Sequence, residues 1–193
     1  MLSDDFKSIY PKYFEENKEY VYGSVENWLI VYKKVNIINF SITKTNENRD
    51  NIYDKQYATY FASKLKVILI VDKFNPEISI NTLNFNKFNE TIKLKINKVA
   101  KSKKNKLVFY YLVEIAYYQD ILSTQFSYTG LHKSWYDNGR KSSEGSYLEN
   151  EKNGKWQYWY NLLNNYDPET KSSEVVYLDG NIVKSTIFVL IKK

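Results

Sequence analysis

One phrase is written twice in this chain: "KSSEGSYL" at 141–148 returns as "KSSEVVYL" at 171–178, with six of its eight residues kept. Gly130, Trp135 and Tyr136 match Gly154, Trp159 and Tyr160 at an offset of 24, and Lys141, Ser142, Ser143, Glu144, Tyr147 and Leu148 match Lys171, Ser172, Ser173, Glu174, Tyr177 and Leu178 at an offset of 30. The difference falls in one place, where "DNGR" gives way to "NLLNNYDPET". An insertion confined between two matched blocks is how a loop behaves between two kept strands. Each unit therefore predicts a β-hairpin, and self-similarity at a fixed period predicts that the hairpins stack. Asn138-Gly139 suits a type I′ turn, because both central positions of that turn need φ > 0. Asn153-Gly154 in "ENEKNG" reads as a second tight turn between the hairpins. The stretch after Gly180, "GNIVKSTIFVLIKK", reads as a capping strand that closes the array.

The spaced pattern of "WYDNG", "E", "Y" and "G" around residues 128–180 resembles the MORN-repeat family, in its divergent bacterial and giant-virus variant. The resemblance implies hairpins stacked into one extended twisted sheet. It places Trp135, Tyr136, Tyr147, Trp159, Tyr160 and Tyr177 in aromatic slots and Gly130, Gly139, Gly154 and Gly180 in turn slots. The second unit departs from the pattern by lacking the Asn-Gly turn. The segment "YFASKLKVILIVDKFNPEISI" (60–80) is similar to the N-terminal part of uncharacterised mimivirus-type proteins, which carry such repeats behind it. Asn, Lys, Ile and Tyr dominate while Gly, Pro, Ala and Arg are scarce, which fits an AT-rich coding sequence from a giant virus or a bacterium.

Upstream of the repeats the patterns are mixed. The first twenty residues read as short helical pieces interrupted at Pro11, and 21–45 is rich in β-branched and aromatic residues, as strands are. Residues 43–51 are a polar connection. A helix is expected over 53–65, leading into a buried strand at 66–72 that "KFNP" closes. The apolar run 106–122 suits a buried helix or a long strand, and its length favours the helix. The resulting expectation is an α+β chain: a small N-terminal α/β region (1–105), a connecting helix or strand (106–127), and a MORN-like array of antiparallel hairpins (128–193).

The chemical inventory argues against an enzyme. There is no cysteine, so thiolate metal sites, disulfides and cysteine nucleophiles are excluded, and a reducing compartment fits. His132 is the single histidine. It falls opposite Trp156 in the repeat alignment, a packing slot. No phosphate-binding glycine loop, His-Glu-x-x-His or Gly-x-Ser-x-Gly motif occurs. Glu144 and Glu174 recur, and the simplest reason is cross-strand pairing with lysine on a solvated sheet face. No cofactor and no metal are expected.

The formal charge is +6. Much of the excess lies in "KLKINKVAKSKKNK" (93–106), where Lys101, Lys103, Lys104 and Lys106 offer contacts to an anionic membrane surface. With only two arginines the chain lacks the bidentate donors usual in nucleic-acid readers. No secretory h-region or membrane-length apolar run is present, so an intracellular, soluble protein is expected, in host cytoplasm or virion if viral. The expected function is non-catalytic scaffolding through a protein partner, with Trp135, Tyr136, Trp156, Trp159 and Tyr160 as the binding aromatics. Peripheral binding to anionic lipid and antitoxin-like binding are the alternatives.

Overall fold

A computed structural model of the protein describes residues 6, 8–14, 19–33, 52–87, 90–102, 107–123, 127–161 and 170–189. They form two compact units: Met1–Asp50 with Thr59–Asp120, and Asn51–Ala58 with Ile121–Lys193. The stretch 106–127 is thus divided between units, and 51–58 is grouped with the second.

The first unit is built from antiparallel strands. β1 (Tyr20–Val25), β2 (Trp28–Lys33), β4 (Lys64–Asp72) and β7 (Val99–Lys101) form a sheet in the order β1-β2-β4-β7. β3 (Tyr60–Ala62) pairs with β8 (Leu107–Phe109), and β5 (Thr82–Lys87) with β6 (Glu90–Lys95). Consecutive residues of a strand point to opposite faces. In β2, Leu29, Ile30 and Val31 are all fully buried, so both faces of the sheet are covered there. Helix occurs among the described residues only in short pieces, among them α1 (Pro11–Phe14) and α2 (Val113–Tyr118).

The expected α+β class with an N-terminal α/β region is therefore corrected: the fold is essentially all antiparallel β. The expected helix at 53–65 is replaced by turns up to 59, then β3 and the start of β4. Burial follows a period of two there, through Ala58, Tyr60 and Ala62 and then Leu65 and Val67, which is the strand signature. The run 106–122 divides. Its first residues become β8, where Phe109 stacks on Tyr60 with ring centroids 5.5 Å apart, and only six residues form α2. The polar connection 43–51, and 34–42 before it, lie outside the described residues.

The second unit is one five-stranded antiparallel meander in the order β13-β12-β11-β10-β9. Its strands are β9 (Gly130–Trp135), β10 (Lys141–Leu148), β11 (Glu151–Trp159), β12 (Lys171–Leu178) and β13 (Asn181–Ile187). The hairpins form where the repeats align, but their turns differ from expectation. At 137–139 only Gly139 has positive φ, +87°, and its N–H bonds to Tyr136 C=O at 2.8 Å. That is the signature of a three-residue loop ending in a left-handed glycine, not a two-residue type I′ turn. The tight turn between hairpins is Glu149-Asn150, with φ of 51° and 69°, and it is repeated at Asp179-Gly180, with 48° and 76°. Asn153-Gly154 lies inside β11, where Gly154 (φ 70°) sits at a break in register against β10. A bulge, not a turn, takes the glycine there.

Candidate interaction site

The pleat of the second unit sorts its side chains into two faces. On one, His132, Tyr147, Trp156, Tyr158 and Tyr177 gather. Trp156 is the centre: 1% exposed, edge-on to Tyr147 at 4.9 Å, stacked with Tyr158 at 6.1 Å, and donating from Nε1 to Ser146 C=O at 3.0 Å. It lies flat because Gly145 is opposite. A Cβ at that position would come 2.2 Å from the indole. Lys152 Nζ stands over the rings of Trp156, Tyr158 and Tyr177 at 4.6, 5.2 and 5.3 Å and donates to Tyr158 Oη, so an intrinsic ammonium already fills this aromatic cage. Burial, with Tyr158 and Tyr177 close by, pushes the Tyr147 hydroxyl up to about 12.

The opposite face is a charged row. Reading across the strands, Lys133, Glu144, Gln157, Glu174 and Thr186 stand in direct register. Glu144 pairs with Lys141, and Glu174 with Lys155 and Lys171, each at 2.8 Å. Hydrogen bonds from Lys155, Lys171 and Gln157 hold the Glu174 carboxyl down to about 2. Each recurring glutamate thus holds the lysine three residues before it on its own strand, and Glu174 adds a cross-strand pair with Lys155.

The candidate binding residues are placed as follows. Trp156 and Trp159 are buried, Trp159 at 3% exposure beneath the Lys141 ammonium, which is 4.5 Å from its ring. Trp135 is half-buried and stacks on Tyr57 at 5.5 Å. Tyr136 donates its hydroxyl to Trp159 C=O at 2.9 Å, and Tyr160, its counterpart in the next repeat, donates to Phe188 C=O. The tyrosine that follows each odd-numbered hairpin strand thus reaches past one strand to fasten the next but one. Gly139 packs against the 51–58 segment of its own unit: a Cβ there would meet Asp54 C=O at 2.1 Å. Beside it Arg140 lies over the Tyr53 ring at 4.6 Å. Gly130 opens β9, and Gly154 and Gly180 occupy the bulge and the turn already described.

In the first unit, Lys101 is exposed and stands directly opposite Lys64. Lys103, Lys104 and Lys106 lie outside the described residues. Among the described residues no group of three His, Cys, Asp or Glu could hold a metal ion, and no helix is long and apolar enough to cross a membrane.

Reading the repeats alone misses two features. Gly145, the seat of Trp156, is hidden because the repeat has Val175 at that place. The other is Lys73, fully buried in the first unit. Its ammonium donates to Ser24 Oγ and Glu26 C=O, both at 2.7 Å, and to Gln119 C=O. Burial pushes it down to about 7, against the opposing pull of Asp120 and Asp72. No sequence signal marks it, since its acceptors come from distant turns.

The most exposed apolar side chains of the second unit lie on and beside β13, with Leu131 on β9 and Leu148 on β10 less exposed, at 42% each. Leu178, Ile182, Val183, Ile187 and Val189 are each more than half exposed, at 59, 62, 59, 74 and 80%. Compared with known proteins, the chain matches no family model, no curated protein and no solved structure.

Proposed function

We propose that this chain is a non-catalytic protein-interaction protein, and that its repeat sheet, read as an array of the MORN type, binds through the open edge at β13. One observation carries the reading: β13 ends the sheet with every residue from Asn181 to Val189 exposed, apolar side chains included. A bare strand edge with apolar side chains is a template for strand addition. The aromatic slots serve a different purpose, since Trp156 and Trp159 are buried and Tyr136 and Tyr160 fasten strands. The test is co-purification of the tagged full chain from its native source, read by mass spectrometry. Ser185→Pro removes an edge N–H and is expected to lose the specific partners, whereas Trp135→Ala retains them. Partners indifferent to Ser185→Pro sink the proposal.

A second reading, contact with an anionic surface by the first unit, is favoured by the Lys64–Lys101 pair. Like charges directly opposite repel, and a phosphate-bearing surface relieves that repulsion. Sedimentation with anionic vesicles at low and high salt tests it with Lys64→Gln/Lys101→Gln. Binding that ignores both salt and the substitutions removes this reading.

A further inference from the structure

The segments 128–136 and 152–160 align at the offset of 24, with Gly130, Trp135 and Tyr136 kept as Gly154, Trp159 and Tyr160. On the aromatic face they differ: Tyr128, His132 and Ser134 answer to Lys152, Trp156 and Tyr158. The second set converges. The Lys152 ammonium stands over Trp156, Tyr158 and, from β12, Tyr177, with ring centres 4.6, 5.2 and 5.3 Å away. In the first repeat Tyr128 is buried instead, and its hydroxyl donates to Leu131 C=O. Lys152 also differs from Lys141, Lys155 and Lys171, which pair with glutamates of the charged row; it donates to the Tyr158 hydroxyl at 2.8 Å. Trp156 lies flat against Gly145 as the floor of the cage, with Tyr158 stacked beside it and Tyr177 edge-on at 6.4 Å. Lys152, Tyr158 and Tyr177 are half-buried, so the cage opens to solvent once the ammonium leaves.

We infer that this cage binds a quaternary ammonium, carried by a protein partner as an N-trimethylated lysine side chain, with Lys152 as its intrinsic competitor. The site lies on the face of the sheet and is independent of the open edge at β13. A primary ammonium is compact and strongly hydrated, so exchanging water for rings gains it little. Trimethylation keeps the charge and removes the N–H donors, and the bulkier cation gives up less hydration when it settles on aromatic faces. It therefore displaces Lys152 from the same rings. The hydrogen bond that Tyr158 Oη loses is replaced within the cage, because Tyr177 Oη already lies 3.3 Å from it. A choline head group brings a phosphate with it. Among the described strands the other lysines lie on the charged face, so no second cation flanks the cage to receive that phosphate. A methylated lysine makes no such demand. Since Lys152 is tethered at the cage, the apparent affinity is the intrinsic one reduced by the fraction of molecules in which the cage stands open.

Titration of the full chain with a capped Nε-trimethyl-lysine tests this, followed by the NMR signal of the Trp156 indole N–H, which is fixed by its bond to Ser146 C=O. A saturable shift is expected, and the unmethylated lysine derivative should give none at the same concentrations. Lys152→Ala removes the competitor and tightens binding at least about fivefold. Tyr177→Leu removes one wall and weakens it by about the same factor, while Tyr177→Phe, which keeps the ring, retains it. No saturable shift in either the wild type or Lys152→Ala overturns the inference. So does binding that Tyr177→Leu leaves unchanged, that Lys152→Ala weakens, or that the unmethylated derivative matches. Choline binding more tightly than the lysine derivative rejects the protein partner and gives the cage to a lipid head group. Ser185→Pro leaves the titration unaltered, so failure of the cage and failure of the edge are told apart.

Discussion

The two units reach a folded sheet by different means. The first is held by contacts that bridge distant parts of the chain: Ser24 Oγ donates to Gln119 C=O across 95 positions, and Tyr10 Oη to Pro76 C=O across 66. Its central strands are buried on both faces. The second is a meander in which every strand pairs with its sequence neighbours, and its cross-repeat hydrogen bonds span only 23 and 28 positions. A sheet assembled from neighbours can be extended by copying a unit; a sheet assembled from distant segments cannot. That is why repetition appears in one unit alone.

Three perturbations break or sharpen the contrast. The largest effect is expected from Lys73→Met, which removes the three hydrogen bonds from the buried ammonium to Ser24 Oγ and to the Glu26 and Gln119 carbonyls. Denaturant unfolding should show a loss of about 3 kcal/mol, confined to the transition of the first unit. A smaller loss, about 2 kcal/mol, is expected from Gly145→Val, because the new side chain would overlap the Trp156 indole. A red shift in tryptophan emission would report the displaced ring. An unchanged spectrum and stability would mean that the two repeats are interchangeable at this place.

The smallest effect concerns pH. The Glu174 carboxyl is held at about 2 in the folded protein, below its ordinary value of 4.5. The unfolded chain binds more protons between those values, so the contribution is complete above about 4.5 and is lost as pH falls toward 2. Glu174→Gln should flatten the acid limb of the stability curve slightly, since the group is partly exposed and solvent screens it. A curve of the same slope in both proteins would show that the charged row contributes nothing to folding.

The sequence made the hairpins of the second unit legible because the repeat alignment separates strand from loop without knowledge of tertiary contacts. Turn chemistry was less legible. Asn138-Gly139 and Asn153-Gly154 look alike as dipeptides, yet one sits in a three-residue loop and the other in a bulge, while the type I′ positions fell to Glu149-Asn150. The alignment of "EN" with "DG" at 149–150 and 179–180 was the available signal. Across the unit boundary, 53–65 mixes aromatic and small residues in an order that fits a helix as well as a strand, and pairing of 60–62 with β8 and of 64–65 with β7 decides the part that becomes strand. Trp156 and Trp159 are buried, and Tyr136 and Tyr160 carry hydrogen bonds between strands. A Trp or Tyr at a fixed repeat position has the same spelling whether it binds a partner or fastens a strand, and only burial separates the two.

The tyrosine bonds have a mechanical consequence. In a stacked array each element ordinarily feels only its nearest neighbours, so an edge strand can peel away by itself, like the last link of a one-dimensional chain. Tyr136 and Tyr160 each skip one strand, from the end of β9 to β11 and from the end of β11 to the residue after β13. That is a second-neighbour coupling, with each link contributing about 1 kcal/mol. Fraying of the terminal strand therefore loosens two partners at once, and the sheet should lose its edge in a more concerted step than an array joined by neighbour pairing alone.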